Sequence, residues 1–268
     1  MVTKQDVFSM LERVGVLPGD KVTVHTSLKA IGEIEGGAEG LLDALREYLC
    51  EGLLIVPTHT WLGLVERPYY DRAETAPCIG VLPTVAAFHP DAVRSLHPSH
   101  SVAVFGKDAA AYVAQEKTFT SGTPTDGCLS RLYEEHGKVL LLGVGFESNT
   151  YLHAVEERLK IPDRMSRETI PVGMKDEDGN VQKIPFCGYH VEGMTYSISV
   201  HYPVLEKPFF HMGALTYGTL GNAKVICCDA YKMTEAYAYL YGRMQRDLCR
   251  SNEQIPEEYY RDAVIDRS

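Results

Sequence analysis

Apolar runs and polar, glycine-bearing loops alternate along the first 160 residues of the chain. Residues 21–25 (KVTVH) alternate in the manner of a strand, and residues 52–57 and 139–142 are nearly continuous apolar runs. Such runs are typical of strands that are buried on both faces. Residues 4–14 and 38–49 carry apolar positions at helical spacing. This alternation of strand and helix predicts an α/β domain.

The pattern predicts further helices over residues 81–88, 109–115 and 126–135, and a strand over 101–105. Residues 61–78 are aromatic, charged and irregular, and we interpret them as a lid or substrate loop. After residue 161 the character changes: residues 171–184 predict a hairpin around Asp178-Gly179-Asn180. Two more strands are expected around Gly221-Asn222, followed by a long helix over 233–249.

We therefore expect a three-layer α/β/α fold around a mixed, largely parallel sheet, with a small β-rich insertion. The expected division is an α/β core with the catalytic cleft over residues 1–160 and a β-rich, substrate-side insertion over 161–212. A closing β-α unit over 213–268 would complete the core.

The stretch 138–156 (KVLLLGVGFESNTYLHAVE) holds the strongest candidate chemistry. A buried strand ends at Gly143 and Gly145, and a helix begins shortly after them. On that helix His153 and Glu156 are three residues apart and so share a face. Ligands usually bind at such carboxyl-end crevices of open α/β sheets. The alternative is a structural histidine at the edge of the core.

The connection after the first strand contains Thr26, Ser27, Gly32, Gly36 and Gly37 and opens a helix. Helix N-termini and glycine-rich turns offer free N–H groups, so this connection is a candidate phosphate cradle. It lacks the spacing of a P-loop and contains no GxGxxG, so an ordinary β-loop-α connection is the alternative.

Composition and charge limit the kinds of molecule that the protein is expected to bind. The formal charge of −10 disfavours nucleic acid and anionic membranes as partners and suits a cationic substrate. No apolar run reaches the length that spans a bilayer. The N-terminus resembles a helix rather than a secretion signal, so we expect a cytoplasmic protein. The seven cysteines include no CxxC, which predicts free and mostly buried thiols.

The sequence also allows two other kinds of site. His59, His97 and His100 could bind a metal in a hydrolase, although no second cluster of ligands with matching spacing accompanies them. Cys128 could carry an acyl group, although a buried, inert thiol is the simpler interpretation.

Several stretches together resemble the aminoglycoside 3-N-acetyltransferase family. They occur in the family's order between about residues 20 and 160, and the β-α unit around 218–237 also fits. Thr84 follows Pro83 where the resemblance leads us to expect a glutamate. The matching pieces are His25-Thr26-Ser27-Leu28 with Gly32, Gly36 and Gly37; residues 56–61 (VPTHTW); residues 94–98 (RSLHP) with Ser101 and Gly106; residues 122–124 (GTP); and Gly143-Val144-Gly145 with residues 149–153 (NTYLH) and Glu156.

The resemblance implies transfer of an acetyl group from acetyl-CoA to the 3-amino group of an aminoglycoside or to a related small amine. It places the general base at His153, with Glu156 or a carboxylate such as Asp126 orienting the ring. The amine would attack the thioester directly, without an acyl-enzyme. The alternatives are a metal-dependent hydrolase and a non-catalytic CoA-binding protein of the same fold.

Binding residues also follow from the resemblance. Acetyl-CoA is the expected cosubstrate, no metal is expected, and a homodimer is compatible with the sequence. The residues expected to bind CoA are Thr26, Ser27, Leu28, Lys29, Gly36, Gly37, His97, Ser101 and Thr123. Those expected to bind the cationic amine are Asp71, Glu74 and Asn149. The alternative for His97 and Ser101 is a structural role in their loop, and the alternative for Asp71 and Glu74 is a solvated surface loop.

Overall fold

The structure is a computed structural model that describes residues 1–176 and 178–266. In chain order its helices are α1 (Lys4–Arg13), α2 (Leu28–Ile31), α3 (Gly37–Tyr48), α4 (Trp61–Glu66), α5 (Val81–Ala87), α6 (Ala109–Val113), α7 (Tyr151–Arg158), α8 (Glu206–His211) and α9 (Ala230–Met244). Its strands are β1 (Lys21–Thr26), β2 (Leu53–Pro57), β3 (Tyr69–Tyr70), β4 (Val93–Arg94), β5 (Val102–Phe105), β6 (Lys138–Leu142), β7 (Ile170–Lys175), β8 (Val181–Phe186), β9 (Leu215–Leu220) and β10 (Ala223–Asp229).

The main sheet has seven strands in the order β4-β5-β2-β1-β6-β10-β9. It is mixed, as predicted, but parallel pairing is confined to its centre, where β1 pairs with β2 and with β6. All outer pairings are antiparallel, so the expectation of a largely parallel sheet was wrong. For β9 and β10 the physical reason is connection length, because these strands are separated only by Gly221-Asn222 and so short a turn can join only antiparallel strands.

Apolar side chains cover both faces of this sheet, which gives the three layers that the sequence predicted. Because side chains alternate along a strand, neighbouring residues of β6 enter different clusters. Leu140 packs on one face with residues of α1, α3 and α5. Leu141 packs on the other face with residues of α7 and α9.

A smaller sheet joins the predicted insertion to the predicted lid loop. The hairpin β7–β8 forms as expected, and β3 pairs in parallel with β7. The segment 61–78 is therefore not wholly irregular, since it contains α4 and β3. Glu177 lies outside the described residues. The division of the chain into three parts stays a prediction.

The segment 126–135 does not form the predicted α-helix. It contains turns and a short 3-10 helix over Ser130–Leu132. Side chains of this segment bond to backbone carbonyls: Ser130 Oγ donates to Thr123 O, and the Arg131 guanidinium donates to Asp126 O and Tyr112 O. In the described part of the chain, no helix combines the length and the apolar character needed to cross a membrane.

Candidate active site

The carboxyl ends of the three parallel strands open into a cleft of about 1100 Å³. β1 contributes His25 and Thr26, the chain beyond β2 contributes His59, and the loop after β6 contributes Val144. His153, on α7, also lines the cleft. The opposite wall comes from the chain between residues 166 and 199, including Phe186, Tyr189, Val191, Met194, Tyr196 and Ile198.

His153 and Glu156 are connected through a tyrosine that the sequence analysis missed. The hydroxyl of Tyr202 lies 2.8 Å from His153 Nδ1 and donates a hydrogen bond to Glu156 Oε2, also at 2.8 Å. The direct distance from His153 Nδ1 to Glu156 Oε2 is 3.9 Å. The expected orienting carboxylate therefore reaches the imidazole through Tyr202.

This hydrogen bond determines where the imidazole carries its proton. A tyrosine hydroxyl has one hydrogen, which Tyr202 gives to Glu156, so its oxygen accepts from His153 Nδ1–H. In the neutral ring, Nε2 then carries the lone pair. The contact with Tyr202 thus leaves Nε2 as the nitrogen that can accept a proton.

Glu156 is fully buried and is surrounded by donors. Tyr237 donates to Oε1 at 3.0 Å, and Arg164 Nε lies 2.8 Å from the same oxygen, although its N–H does not point at that oxygen. Burial raises the pKa of Glu156, while the charge of Arg164 and the two tyrosine hydroxyls oppose that rise. Arg164 also makes a two-pronged ion pair with Asp247, at 2.9 and 2.6 Å.

The face of the His153 ring packs on Tyr189. The two ring centroids are 4.2 Å apart, and the ring planes are inclined by 17°. Burial, and secondarily the charge of Arg164, lowers the pKa of His153 to about 3. The free ring is therefore neutral near pH 7, the form in which it can act as a base.

Tyr189 is itself held by the loop that precedes the 126–135 segment. Its hydroxyl hydrogen-bonds to the Thr123 hydroxyl and lies 3.2 Å from Glu157 Oε2. The Tyr189 ring sits against Gly122, where a Cβ atom would come within 2.3 Å of a ring carbon. Thr123, expected to bind CoA, therefore contacts the tyrosine that packs on the base.

The residues expected to bind CoA are spread around the loop after β1. Thr26 lines the cleft. Ser27 caps α2, since its Oγ accepts from the amide of Ala30 at 3.3 Å. Leu28 is half-buried, and Lys29 is exposed. Gly36 is the N-cap of α3, whose N-terminus has no side-chain cap, and Gly37 is its first residue.

His97 and Ser101 are bound into the fold and are not among the cleft-lining residues. His97 Nε2 lies 2.7 Å from Ser121 O, and its Nδ1 accepts from the amides of Ser99 and His100. Ser101 Oγ donates to Thr58 O at 2.8 Å.

The residues expected to bind the amine do not line the cleft either. Asp71 is buried, pairs with Lys175 at 2.7 Å and accepts from the amide of Ala73. Glu74 is exposed. Asn149 is fully buried, and its amide nitrogen faces the sulfur of Met233 at 3.5 Å. Among the residues that the structure describes, the carboxylates that line the cleft are those of Glu147 and Glu168.

Three other roles considered for the sequence concern Asp126, Cys128 and a metal site, and the described part of the structure shows no arrangement that matches them. Asp126 accepts from the amides of Lys117 and Thr118, both at 2.9 Å, rather than from His153. Cys128 is buried in the core, and burial raises the pKa of its thiol well above the usual value, which disfavours a nucleophilic thiolate. Among the described residues, no three His, Cys, Asp or Glu side chains are grouped so that they could hold a metal. The seven thiols are free, as predicted, and four of them are buried.

Comparison with known proteins connects this arrangement to a family. A family model described as aminoglycoside 3-N-acetyltransferase matches residues 23–241. The chain belongs to this family. The finding confirms the resemblance that the ordered motifs indicated, and it places the chain in a family of acyltransferases.

Individual relatives agree with this assignment. The chain is 33% identical over 203 residues to aminoglycoside N(3)-acetyltransferase III of Serratia marcescens, covering 68% of this chain and 74% of the relative. It is 31% identical over 186 residues to aminoglycoside N(3)-acetyltransferase IV of Salmonella sp, covering 68% of each.

Solved structures agree on the fold. Aminoglycoside acetyltransferase AAC(3)-IIb superposes with a TM-score of 0.72 at 27% identity, covering 90% of this chain and 97% of that one. A binary complex of AAC-IIIb with CoASH superposes with a TM-score of 0.77 at 23% identity, with the same coverage.

Proposed function

We propose that the protein is an acetyl-CoA-dependent N-acetyltransferase in which His153 is the general base. The observation that carries this proposal is the hydrogen-bonded path from His153 Nδ1 through Tyr202 to Glu156, at the edge of the cleft. This path leaves Nε2 with a lone pair. Membership of a family described as N-acetyltransferases supports the reaction type.

The base takes a proton from the amine as its nitrogen attacks the thioester carbon. General-base action of this kind contributes roughly 10²–10⁴-fold to a rate. Because burial disfavours the charged ring, the imidazolium that forms needs a counter-charge. Glu156 supplies that charge through Tyr202, and the face of Tyr189 supplies a cation–π contact.

The coenzyme has a fitting site next to β1. Thr26 lines the cleft beside His25. The amide of Gly37 donates to Ile34 O, and no side chain caps the other amides in the first turn of α3, which suit an anion. No lysine or arginine is among the described residues that line the cleft. We therefore assign the pyrophosphate to Lys29 and the turn at Gly36 and Gly37, and the pantetheine arm to the cleft.

The acceptor is a cationic amine, and the relatives named above are aminoglycoside N(3)-acetyltransferases. Glu147 and Glu168 line the cleft and take the role that the sequence analysis gave to Asp71 and Glu74. Thr84 is exposed, and its hydroxyl donates to Gly80 O, so it adds no charge for the amine. The cytoplasm and a homodimer stay predictions from the sequence.

Release of CoA tests the proposal. Purified protein is mixed with acetyl-CoA, a panel of aminoglycosides and simpler amines, and a reagent that detects free thiols. We expect amine-dependent release of CoA and a loss of about 10²-fold or more in kcat for His153→Ala. The control is His211→Ala, which removes an exposed ring bonded to Arg261 O. Full activity of His153→Ala would exclude His153 as the base.

A further inference from the structure

Two histidines outside the His153 network stand at the ends of neighbouring parallel strands. His25 belongs to β1, and His59 lies two residues beyond the end of β2. Their ring centroids are 6.5 Å apart, and both rings line the cleft. Both residues are deeply buried, with exposed fractions of 9% and 3%.

Each of these rings has an unsatisfied polar atom. Nε2 of His25 and Nε2 of His59 are buried and have no hydrogen-bond partner within residues 1–176 and 178–266. Buried polar groups in folded proteins are nearly always paired, so an exception calls for a physical reason. Two exceptions side by side in one cleft indicate a ligand group that these rings would meet.

The chemistry of the rings narrows the ligand. Burial lowers the pKa of His25 to about 4, and burial together with neighbouring imidazoles lowers the pKa of His59. Both rings are therefore neutral near pH 7, and each offers one N–H donor. Without a positive charge they are poorly suited to a phosphate. His100 lies 4.6 Å from His59 between ring centroids, but the described residues contain no grouping that could hold a metal.

A neutral donor pair suits an uncharged acceptor atom that gains negative charge during a reaction. His25, His59 and His153 line the same cleft, which is assigned to the pantetheine arm, so an acyl end within reach of His153 enters the cleft that these two rings line. We propose that His25 and His59 bind the thioester carbonyl oxygen of acyl-CoA and stabilise the oxyanion formed from it. This inference rests on the proposed function.

The amine nitrogen forms a bond to the carbonyl carbon, the π electron pair moves to the oxygen, and the amine proton moves to His153 Nε2. The oxyanion accepts hydrogen bonds from His25 and His59. When the carbonyl re-forms, the carbon–sulfur bond breaks, and the CoA thiolate leaves with the electron pair and takes the proton from His153 Nε2, which returns the ring to its neutral form.

Substitutions that keep the ring shape test this assignment. His25→Phe and His59→Phe each remove the donors, and His59→Gln keeps one. We expect each Phe variant to lose about 10²-fold in kcat, with the Kd of CoA by calorimetry within about 2-fold of the wild type. We expect His59→Gln to recover part of the loss.

His201→Phe is the matched control. His201 is also buried, with 6% exposed, and its Nε2 also lacks a partner among the described residues, but it does not line the cleft. We expect its kcat to stay within about 2-fold of the wild type. An unchanged kcat in both cleft variants would overturn the proposal. A weaker Kd for CoA at unchanged kcat would also overturn it, because the rings would then bind an amide of the pantetheine arm.

A second measurement needs no turnover and so separates this inference from the proposed function. Difference infrared spectra of acetyl-CoA labelled with ¹³C at the thioester carbonyl report hydrogen bonding to that oxygen. We expect the carbonyl stretch to shift to lower frequency on binding to the wild type and to lose that shift in the His25→Phe/His59→Phe double variant. A shift retained in the double variant would contradict the assignment even if no amine is ever acetylated.

Discussion

His153 Nδ1 and Glu156 Oε2 lie 3.9 Å apart, and the hydroxyl of Tyr202 is 2.8 Å from each of them. Hydrogen bonds through a third side chain therefore link the imidazole and the carboxylate, and this side chain belongs to the 3-10 helix Ile198–Leu205. This arrangement fixes the tautomer of the base and delivers a negative charge to it.

Removing the Tyr202 hydroxyl should weaken the base and leave the cleft in place. We expect Tyr202→Phe to lower kcat about 10- to 100-fold, a part of the ~10²–10⁴-fold that general-base catalysis contributes. Steady-state kinetics with acetyl-CoA and an active acceptor measure this. The control is Tyr151→Phe, which removes another buried hydroxyl, bonded to Ala230 O and Thr234 rather than to the base. Equal kcat in both variants would argue against the relay.

Neutralising Glu156 should destabilise the fold as well as the base. Glu156→Gln leaves Arg164 without its buried counter-charge, and breaking a buried ion pair from one side costs about 3–5 kcal/mol. We expect the free energy of unfolding in urea to fall by about 3 kcal/mol. Asp247→Asn, on the more exposed side of Arg164, should cost only about 1 kcal/mol. A larger loss for Asp247→Asn than for Glu156→Gln would contradict this view of the pair.

A methyl group at Gly122 should displace Tyr189 from the base. The added Cβ would lie 2.3 Å from the Tyr189 ring, so the ring must move. We expect Gly122→Ala to lower kcat and to cost about 1–3 kcal/mol of stability, as overpacking does. In Gly242→Ala, on α9, the new Cβ meets nothing within 4 Å, so stability should be unchanged or higher. Wild-type kcat in Gly122→Ala would mean that the stack on Tyr189 does not position His153.

Acid should destabilise the protein through its buried histidines. For His25 the folded pKa, about 4, lies below the ordinary value of 6.5, so between these pH values the unfolded chain binds a proton that the native state does not. Stability from this group is thus complete above pH 6.5 and falls as the pH drops towards 4, by up to about 1.4 kcal/mol per pH unit. Glu116 acts in the opposite direction, because burial raises its pKa to about 7.

Comparing the pH dependence of the unfolding free energy in the wild type and in His25→Phe isolates the contribution of His25. Urea unfolding of the wild type and of His25→Phe at pH 7.5, 6, 5.5 and 5 should give a shallower acid loss in the variant. Parallel pH dependences in the two proteins would show that His25 titrates at its ordinary value in the folded state.

The sequence predicted those parts of the site whose residues lie close together along the chain. A buried strand, a glycine turn and a helix place His153 and Glu156 on one face, and that arrangement is present as expected. Tyr202 lies 46 residues after Glu156, and Tyr189 lies 32 residues after Glu157, so both reach the site only through tertiary packing and were missed. Arg164 was missed because it lies beyond the end of α7, outside the helical pattern that holds Glu156. No local pattern marks them, although the segment 189–201 is rich in Tyr, Ser and Thr.

The acidic residues were misplaced for a related reason. Asp71 and Glu74 belong to a charged, aromatic stretch that resembled a substrate loop. In the fold, β3 of this stretch pairs with β7 of the hairpin, and Lys175 of that hairpin forms an ion pair with Asp71. Pairing between segments about 100 residues apart cannot be read from composition. The irregular loop over 118–125 likewise gave no sign that Thr123 would hold Tyr189.

The position of the CoA sulfur relative to His153 tests the account most directly. A crystal structure of the protein with CoA and an acceptor amine would locate it. We predict the sulfur in the cleft lined by His25, His59 and His153, with the amine nitrogen within about 3–3.5 Å of His153 Nε2. A sulfur bound on the opposite face of the main sheet, or an amine out of reach of that nitrogen, would contradict the account.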